Sequence, residues 1–124
     1  MNEATQEALF DRQLIIDDYL HDRSPLLQRL SRAGLFEMDS PVNALNLPVE
    51  RAFAEKLGCA QFCAEPISSY REGMLGQLQK IENSTQGQAA LQGDESGLRF
   101  AADSVENLQL TIKAALINGD LALG

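Results

Sequence analysis

The chain has 124 residues, 18 acidic against 10 basic side chains for a formal net charge of -8, and 44% hydrophobic and 23% charged residues. That length suits one compact domain burying roughly two-thirds of the surface its unfolded form exposes, and the apolar content excludes an intrinsically disordered chain. The negative balance repels a phosphate backbone, which disfavours nucleic acid and leaves two readings, a basic protein partner or plain solubility.

The start, Met1-Asn2-Glu3-Ala4-Thr5, has no positively charged segment and no apolar signal core. No run approaches the roughly 20 apolar residues of a membrane-spanning helix. The expectation is a soluble protein, cytoplasmic or exported by a non-classical route, with no membrane contact.

In residues 5–20, Leu9, Leu14, Ile15, Ile16, Tyr19 and Leu20 recur at helical spacing and leave Glu7, Asp11, Arg12 and Asp18 for solvent, which predicts a first helix. His21 falls in the turn that follows. Ser24-Pro25 supplies a capping hydroxyl and a proline at the first helical position, and Gly34 closes the second helix. Asp39, Ser40, Pro41, Asn43 and Asn46 then mark a connector over residues 35–47, anchored to the core by its apolar side chains. Pro48 is placed to open a third helix with Ala52, Phe53 and Leu57 as its buried stripe and Gly58 as its end.

Cys59 and Cys63 sit in a loop bounded by Gly58 and Pro66. Ser68 or Ser69 is expected to cap a fourth helix, in which Tyr70, Met74, Leu78 and Ile81 form the apolar face. Gly73 and Gly76 weaken that helix intrinsically and fit either close packing or exposure. Residues 82–97 are rich in Asn, Ser, Gln and Gly and read as mobile turns around a short helical piece. Leu98, Ala101, Val105, Leu108, Ile112 and Leu116 trace a long amphipathic C-terminal helix ended by Asn118-Gly119. The expected architecture is all-α: a single domain of five or six helices over residues 1–124, with Phe36, Phe53 and Phe100 in the core.

Little in the chain marks a reaction. The two cysteines are separated by three residues, a spacing outside zinc-knuckle and redox pairs, and no further ligands stand at a recognised distance. Inert thiols are expected, and neither a metal nor a cofactor. His21 has no nucleophile marked beside it in the sequence. Phosphate-loop patterns are absent, and Asp17-Asp18, Glu50 with Glu55, and Asp94-Glu95 read as solvated faces.

One resemblance bears on function. Residues 26–34 form a helix ending in glycine; Asn43 and Leu47-Pro48 spell an Asn-x-x-x-Leu-Pro element; residues 52–58 form a helix ending Leu-Gly; and Tyr70 follows. This order resembles the AHH-type nuclease domains, HNH/endonuclease VII-like modules at the ends of bacterial polymorphic toxins. Their next segment is His-x-Gly-x-His-x-x-Tyr. Aligned on Tyr70, its first histidine falls on Cys63, its glycine on Glu65 and its second histidine on Ile67, while His21 alone stands for the upstream Ala-His-His element. Such a nuclease needs a general base and a metal-ligand set, and isoleucine supplies neither.

The resemblance with its histidines missing therefore implies a scaffold without hydrolysis. The expected function is a non-catalytic helical protein-binding domain of toxin or secretion biology, in an immunity, chaperone or adaptor role, with a basic protein as the favoured partner. The expected contact sites are Phe62, Cys63, Glu65 and Tyr70, where the parent scaffold's pocket would lie, and the acidic Asp17 and Asp18. Two alternatives stay open: a divergent metal-dependent nuclease using Cys63, Glu65 and His21 as ligands, and a structural module of a larger toxin. Partner identity and oligomeric state are not written in the residues.

Overall fold

The structure is a computed structural model that describes residues 9–124. Along the chain run β1 (Phe10–Leu14), α1 (Asp18–Asp22), α2 (Pro25–Arg32), a 3-10 turn (Pro41–Asn43), β2 (Ala44–Pro48), α3 (Arg51–Leu57), α4 (Ser68–Glu82), α5 (Thr85–Leu91) and α6 (Glu95–Asn118). The described residues are mostly helical, but β1 and β2 pair as a two-stranded antiparallel sheet, so the fold is not all-α.

The first expected helix is the main correction. Phe10 to Leu14 pair in register with Pro48 to Ala44, and the Ile15 amide continues the ladder onto the Asn43 carbonyl at 2.9 Å. Ile15 and Ile16 are both buried at the end of this strand, and their adjacency imitated helical spacing. Asp17 then fixes where helix begins: its carboxylate accepts from the Leu20 amide at 3.1 Å as the N-cap of α1. Residues 5–8 of the expected helix, Glu7 among them, lie outside the described residues.

From α2 onward the helical pattern holds with shifted ends. Ser24 Oγ caps α2 by accepting from the Leu27 amide at 3.1 Å, and Leu26, Leu27 and Leu30 are buried. Pro48 belongs to β2, so α3 opens later, at Arg51, and buries Ala54 instead of Ala52 and Leu57. Phe53 is half-buried, packed edge-on against Phe10 with ring centroids 5.5 Å apart. Neither Ser68 nor Ser69 caps α4; its N-cap position is Ile67, with no side-chain bond. Gly73 and Gly76 face open space.

The polar stretch between α4 and α6 does hold the expected short helical piece, but the turns around it are fixed by helix caps. It contains α5, whose Ser84 N-cap accepts from the Gly87 amide at 3.0 Å, followed by α6, whose Asp94 N-cap accepts from the Gly97 amide at 2.8 Å. The two helices pack so closely that a Cβ on Gly97 would lie 2.8 Å from the Ala90 nitrogen and the Gln86 oxygen. Gly119, at φ 75°, ends α6 in the left-handed conformation that glycine adopts without strain. Phe36 joins the core as expected, whereas Phe100 is 43% exposed on the outer side of α6.

A polar hub ties these layers together. Asn43 is fully buried; its Nδ2 donates to the carbonyls of Ile16 (2.8 Å) and Met38 (3.0 Å), while its Oδ1 accepts from the Ile16 amide (2.9 Å) and Gln109 Nε2 (3.0 Å). One side chain thereby satisfies the irregular backbone after β1 and in the connector and links both to α6, as buried polar groups require.

Candidate functional site

Residues 59–67 carry three of the expected contact residues and have no regular secondary structure, yet hydrogen bonds hold them along their length. The Ala60 amide donates to Leu116 O (2.9 Å), that of Phe62 to Pro48 O (2.8 Å) and that of Ile67 to Leu123 O (2.8 Å). At Cys63 the partner is a side chain. Gln13, buried on β1, accepts from the Cys63 amide through Oε1 at 2.8 Å and donates to the Cys63 carbonyl through Nε2 at 3.0 Å. A segment without helix or sheet is thus given a defined path by the sheet, the end of α6 and the C-terminal tail.

Cys59 and Cys63 are free, half-buried thiols on one cleft of about 340 Å³. Leu121 and Leu123 share its wall with Arg51 and Glu55, which pair with each other at 3.2 Å. The Cys63 thiol donates to the Glu65 carbonyl at 3.3 Å, so the chain's own backbone occupies it, and the Glu65 side chain is exposed. Phe62 lines that cleft and also a second depression, about 220 Å³, which it shares with Asp17, Arg12 and Gln13. Two of the expected contact residues, Phe62 and Asp17, therefore do share one surface.

Tyr70 is buried and donates its hydroxyl to the Ile15 carbonyl at 2.7 Å. Burial, reinforced by the negative charge of Asp17, pushes its phenol well above the usual tyrosine range. It braces α4 against the end of β1. Asp17, besides capping α1, pairs with Arg71 at 3.3 Å, and the guanidinium carbons of Arg71 and Arg23 stand 4.2 and 3.6 Å from the centre of the Tyr19 ring. Asp18 is exposed in the first turn of α1. The structure thus places Tyr70 inside as a brace, leaves Asp17 partly buried beside Arg71 at the depression it shares with Phe62, and puts Glu65 and Asp18 at the surface.

His21 has a partner that its sequence context did not mark. Its Nε2 lies 2.9 Å from Ser31 Oγ, and its ring stacks on Phe36 at 5.9 Å between centroids. One turn of α2 brings the serine there, a contact with no local signature. A catalytic serine-histidine pair also needs an acid to orient the imidazole. No carboxylate among the described residues hydrogen-bonds His21. Also among the described residues, no three His, Cys, Asp or Glu side chains come together to hold a metal ion, and this applies to Cys63, Glu65 and His21 as a set.

The feature that sequence reading missed lies on α6. Its inner face, with Ala101, Val105, Gln109 and Leu116, is buried in the domain. Its outer face carries a second row, Phe100, Asp103, Asn107, Leu110, Ala114 and Ile117, spaced alternately by three and four residues and exposed throughout. Leu110 is 49% and Ile117 53% exposed, and with Phe100 at 43% they put three of the large exposed hydrophobic side chains among the described residues on this one helix face. The signal was present in the sequence but overlaid by the stronger inner stripe of the same helix. No protein-family model matches the chain, and no curated protein or solved structure matches it at a significant level.

Proposed function

We propose that this chain is a non-catalytic protein-binding domain whose main contact face is the outer row of α6. The carrying observation is that Phe100, Leu110 and Ile117 stay exposed on a 24-residue helix whose inner face already satisfies the core. A row at alternating three- and four-residue spacing is the pattern by which one helix meets another. The net charge of -8 favours a basic partner and speeds its approach.

The biological setting we propose, an immunity, chaperone or adaptor protein of a bacterial toxin or secretion system, leans on the nuclease-like order of residues 26–70 as ancestry alone. Co-purification of the full chain with the products of its neighbouring genes tests this reading. It predicts one partner retained with submicromolar affinity and no DNA nicking by the purified protein with magnesium, manganese, nickel or zinc. Metal-dependent nicking lost on Cys63→Ala or Glu65→Ala would replace it with the nuclease reading.

A further inference from the structure

The two-stranded sheet has two edges, and the described chain closes only one of them. The Ile15 amide donates to the Asn43 carbonyl and the Val49 amide to the Leu9 carbonyl. In this antiparallel register the odd-numbered residues therefore bond across the sheet, and the even-numbered ones direct their N–H and C=O groups outward. On β2 both ends of the outward side are closed. The Ala44 amide donates to the Pro41 carbonyl, Pro48 has no N–H, and the Pro48 carbonyl accepts from the Phe62 amide at 2.8 Å.

On β1 the Phe10 amide and carbonyl, the Arg12 carbonyl and the Leu14 amide bond to no described residue. The Arg12 amide, the central donor of that row, is held by the carboxylate of its own neighbour Asp11 at 2.7 Å. A side-chain oxygen thus stands where the carbonyl of a further strand would lie. An unpaired strand edge is a template for such a strand unless proline, charge or a covering segment blocks it. Pro48 and Phe62 block β2, whereas the Arg12 side chain is drawn aside onto Asp39 at 3.6 Å.

A separate feature lies beside the open edge. The depression of about 220 Å³ that holds Phe62 is lined by Arg12, Gln13 and Leu14 of β1 and by Asp17 and Ala64, and its surface is mainly apolar. It is smaller than the roughly 300–1,000 Å³ of small-molecule sites and suits one aliphatic side chain. Its polar members are already engaged: Gln13 with the Cys63 backbone, Asp17 with the Leu20 amide and Arg71. Two residues along β1 from Gln13, Asp11 is exposed and forms no ion pair with a described residue.

We propose that the outer edge of β1 receives an extended segment of a partner protein as a third, antiparallel strand. Its residue opposite Gln13 is aliphatic and fills the depression, and the residue two positions later, opposite Asp11, is lysine or arginine. Backbone bonds to Phe10, Arg12 and Leu14 supply affinity, while the depression and the Asp11 carboxylate supply selectivity. Docking hands the Arg12 amide from Asp11 to the incoming carbonyl and frees the carboxylate for the cation. The net charge of -8 favours such a basic segment. This surface lies on a different element from the outer row of α6, and each stands or falls without the other.

The test is an amide-resolved NMR titration of the full chain with the end-blocked peptide Thr-Val-Thr-Lys-Thr, followed by hydrogen exchange at saturating peptide. In the docked register its three threonine amides face β1, and its valine and lysine amides face away. The expected result is shifts and slowed exchange at Phe10, Arg12 and Leu14. N-methylation of the threonine amides should weaken binding about tenfold or more, and N-methylation of the valine and lysine amides should not. Acetylating the lysine, or Asp11→Asn in the protein, should cost about twofold to fivefold. The Leu110→Asp/Ile117→Asp protein should bind the peptide as wild type does. Binding at the edge that is indifferent to threonine N-methylation would overturn strand addition. Shifts confined to Phe100, Leu110 and Ile117 would overturn it while supporting the α6 face, and absence of any shift would overturn it alone. Slow exchange at Phe10, Arg12 and Leu14 without peptide would also overturn it: concentration dependence would assign the edge to a second copy, and its absence to the chain itself.

Discussion

The Gln13 side chain acts as a strand neighbour for Cys63, accepting from its amide at 2.8 Å and donating to its carbonyl at 3.0 Å. Gln13 is itself buried, so truncation removes both bonds to Cys63, together with a third to the Leu14 carbonyl at 3.3 Å, and leaves two backbone groups of Cys63 to find water or go unpaired. Gln13→Ala should cost about 2–3 kcal/mol in urea denaturation. In a Cys59→Ser background it should also speed the reaction of Cys63 with a thiol reagent. Unchanged thiol reactivity would show that residues 59–67 are positioned by their other anchors.

A second prediction concerns alkaline pH. The Tyr70 phenol is raised above its ordinary value of 10.0, first by burial and then by the Asp17 carboxylate, so the folded chain holds this proton more tightly than the unfolded chain does. Its contribution is complete below pH 10.0 and is lost as pH rises from there through the raised folded value. Stability of the wild type should therefore fall more steeply between pH 10 and 11 than that of Tyr70→Phe. At pH 7 the same variant should be about 1–2 kcal/mol less stable, because the Ile15 carbonyl loses its buried donor. Parallel pH profiles in denaturant titrations would contradict this account of Tyr70.

Glycines in two helices should respond with opposite sign. Gly97→Ala pushes a Cβ to 2.8 Å from α5 backbone atoms, which cannot yield as a flexible side chain would, and should cost about 1–3 kcal/mol. Gly73→Ala and Gly76→Ala add a methyl group in open space on α4 and should each stabilise by up to about 1 kcal/mol. Thermal melts of the three variants distinguish the cases directly. A stabilising Gly97→Ala would mean that α5 and α6 separate easily.

These residues also show where sequence reading succeeds. Helices closed by their own punctuation were legible: Ser24-Pro25 opens α2, and Gly58 and Gly119 close α3 and α6 in the left-handed conformation. The strand Phe10–Leu14 was not, because its paired residues lie 30 to 38 positions further along the chain and its side chains do not alternate cleanly between apolar and polar. Pro48 was read as a helix opener although it ends a strand, as proline is permitted to do where its missing donor would point away from the ladder. Among the contact residues, Phe62 and Asp17 do meet at one surface, but Tyr70 is an internal strut whose role depends on a carbonyl 55 residues away. Exposure of one helix face is likewise a tertiary property. The row from Phe100 to Ile117 becomes visible only once the core has claimed the opposite side of α6.

The central claim is that the outer row of α6 binds a protein. Its most direct measurement compares the affinity of wild-type chain and a Leu110→Asp/Ile117→Asp variant for the partner retained from the neighbouring gene products, by calorimetry. Both positions are about half exposed, so the variant should keep its fold and melting temperature. Two charges placed in a helix-binding row should weaken association by about a hundredfold or more. Equal affinity of the two proteins, or failure of any neighbouring product to bind the wild type, would contradict the account.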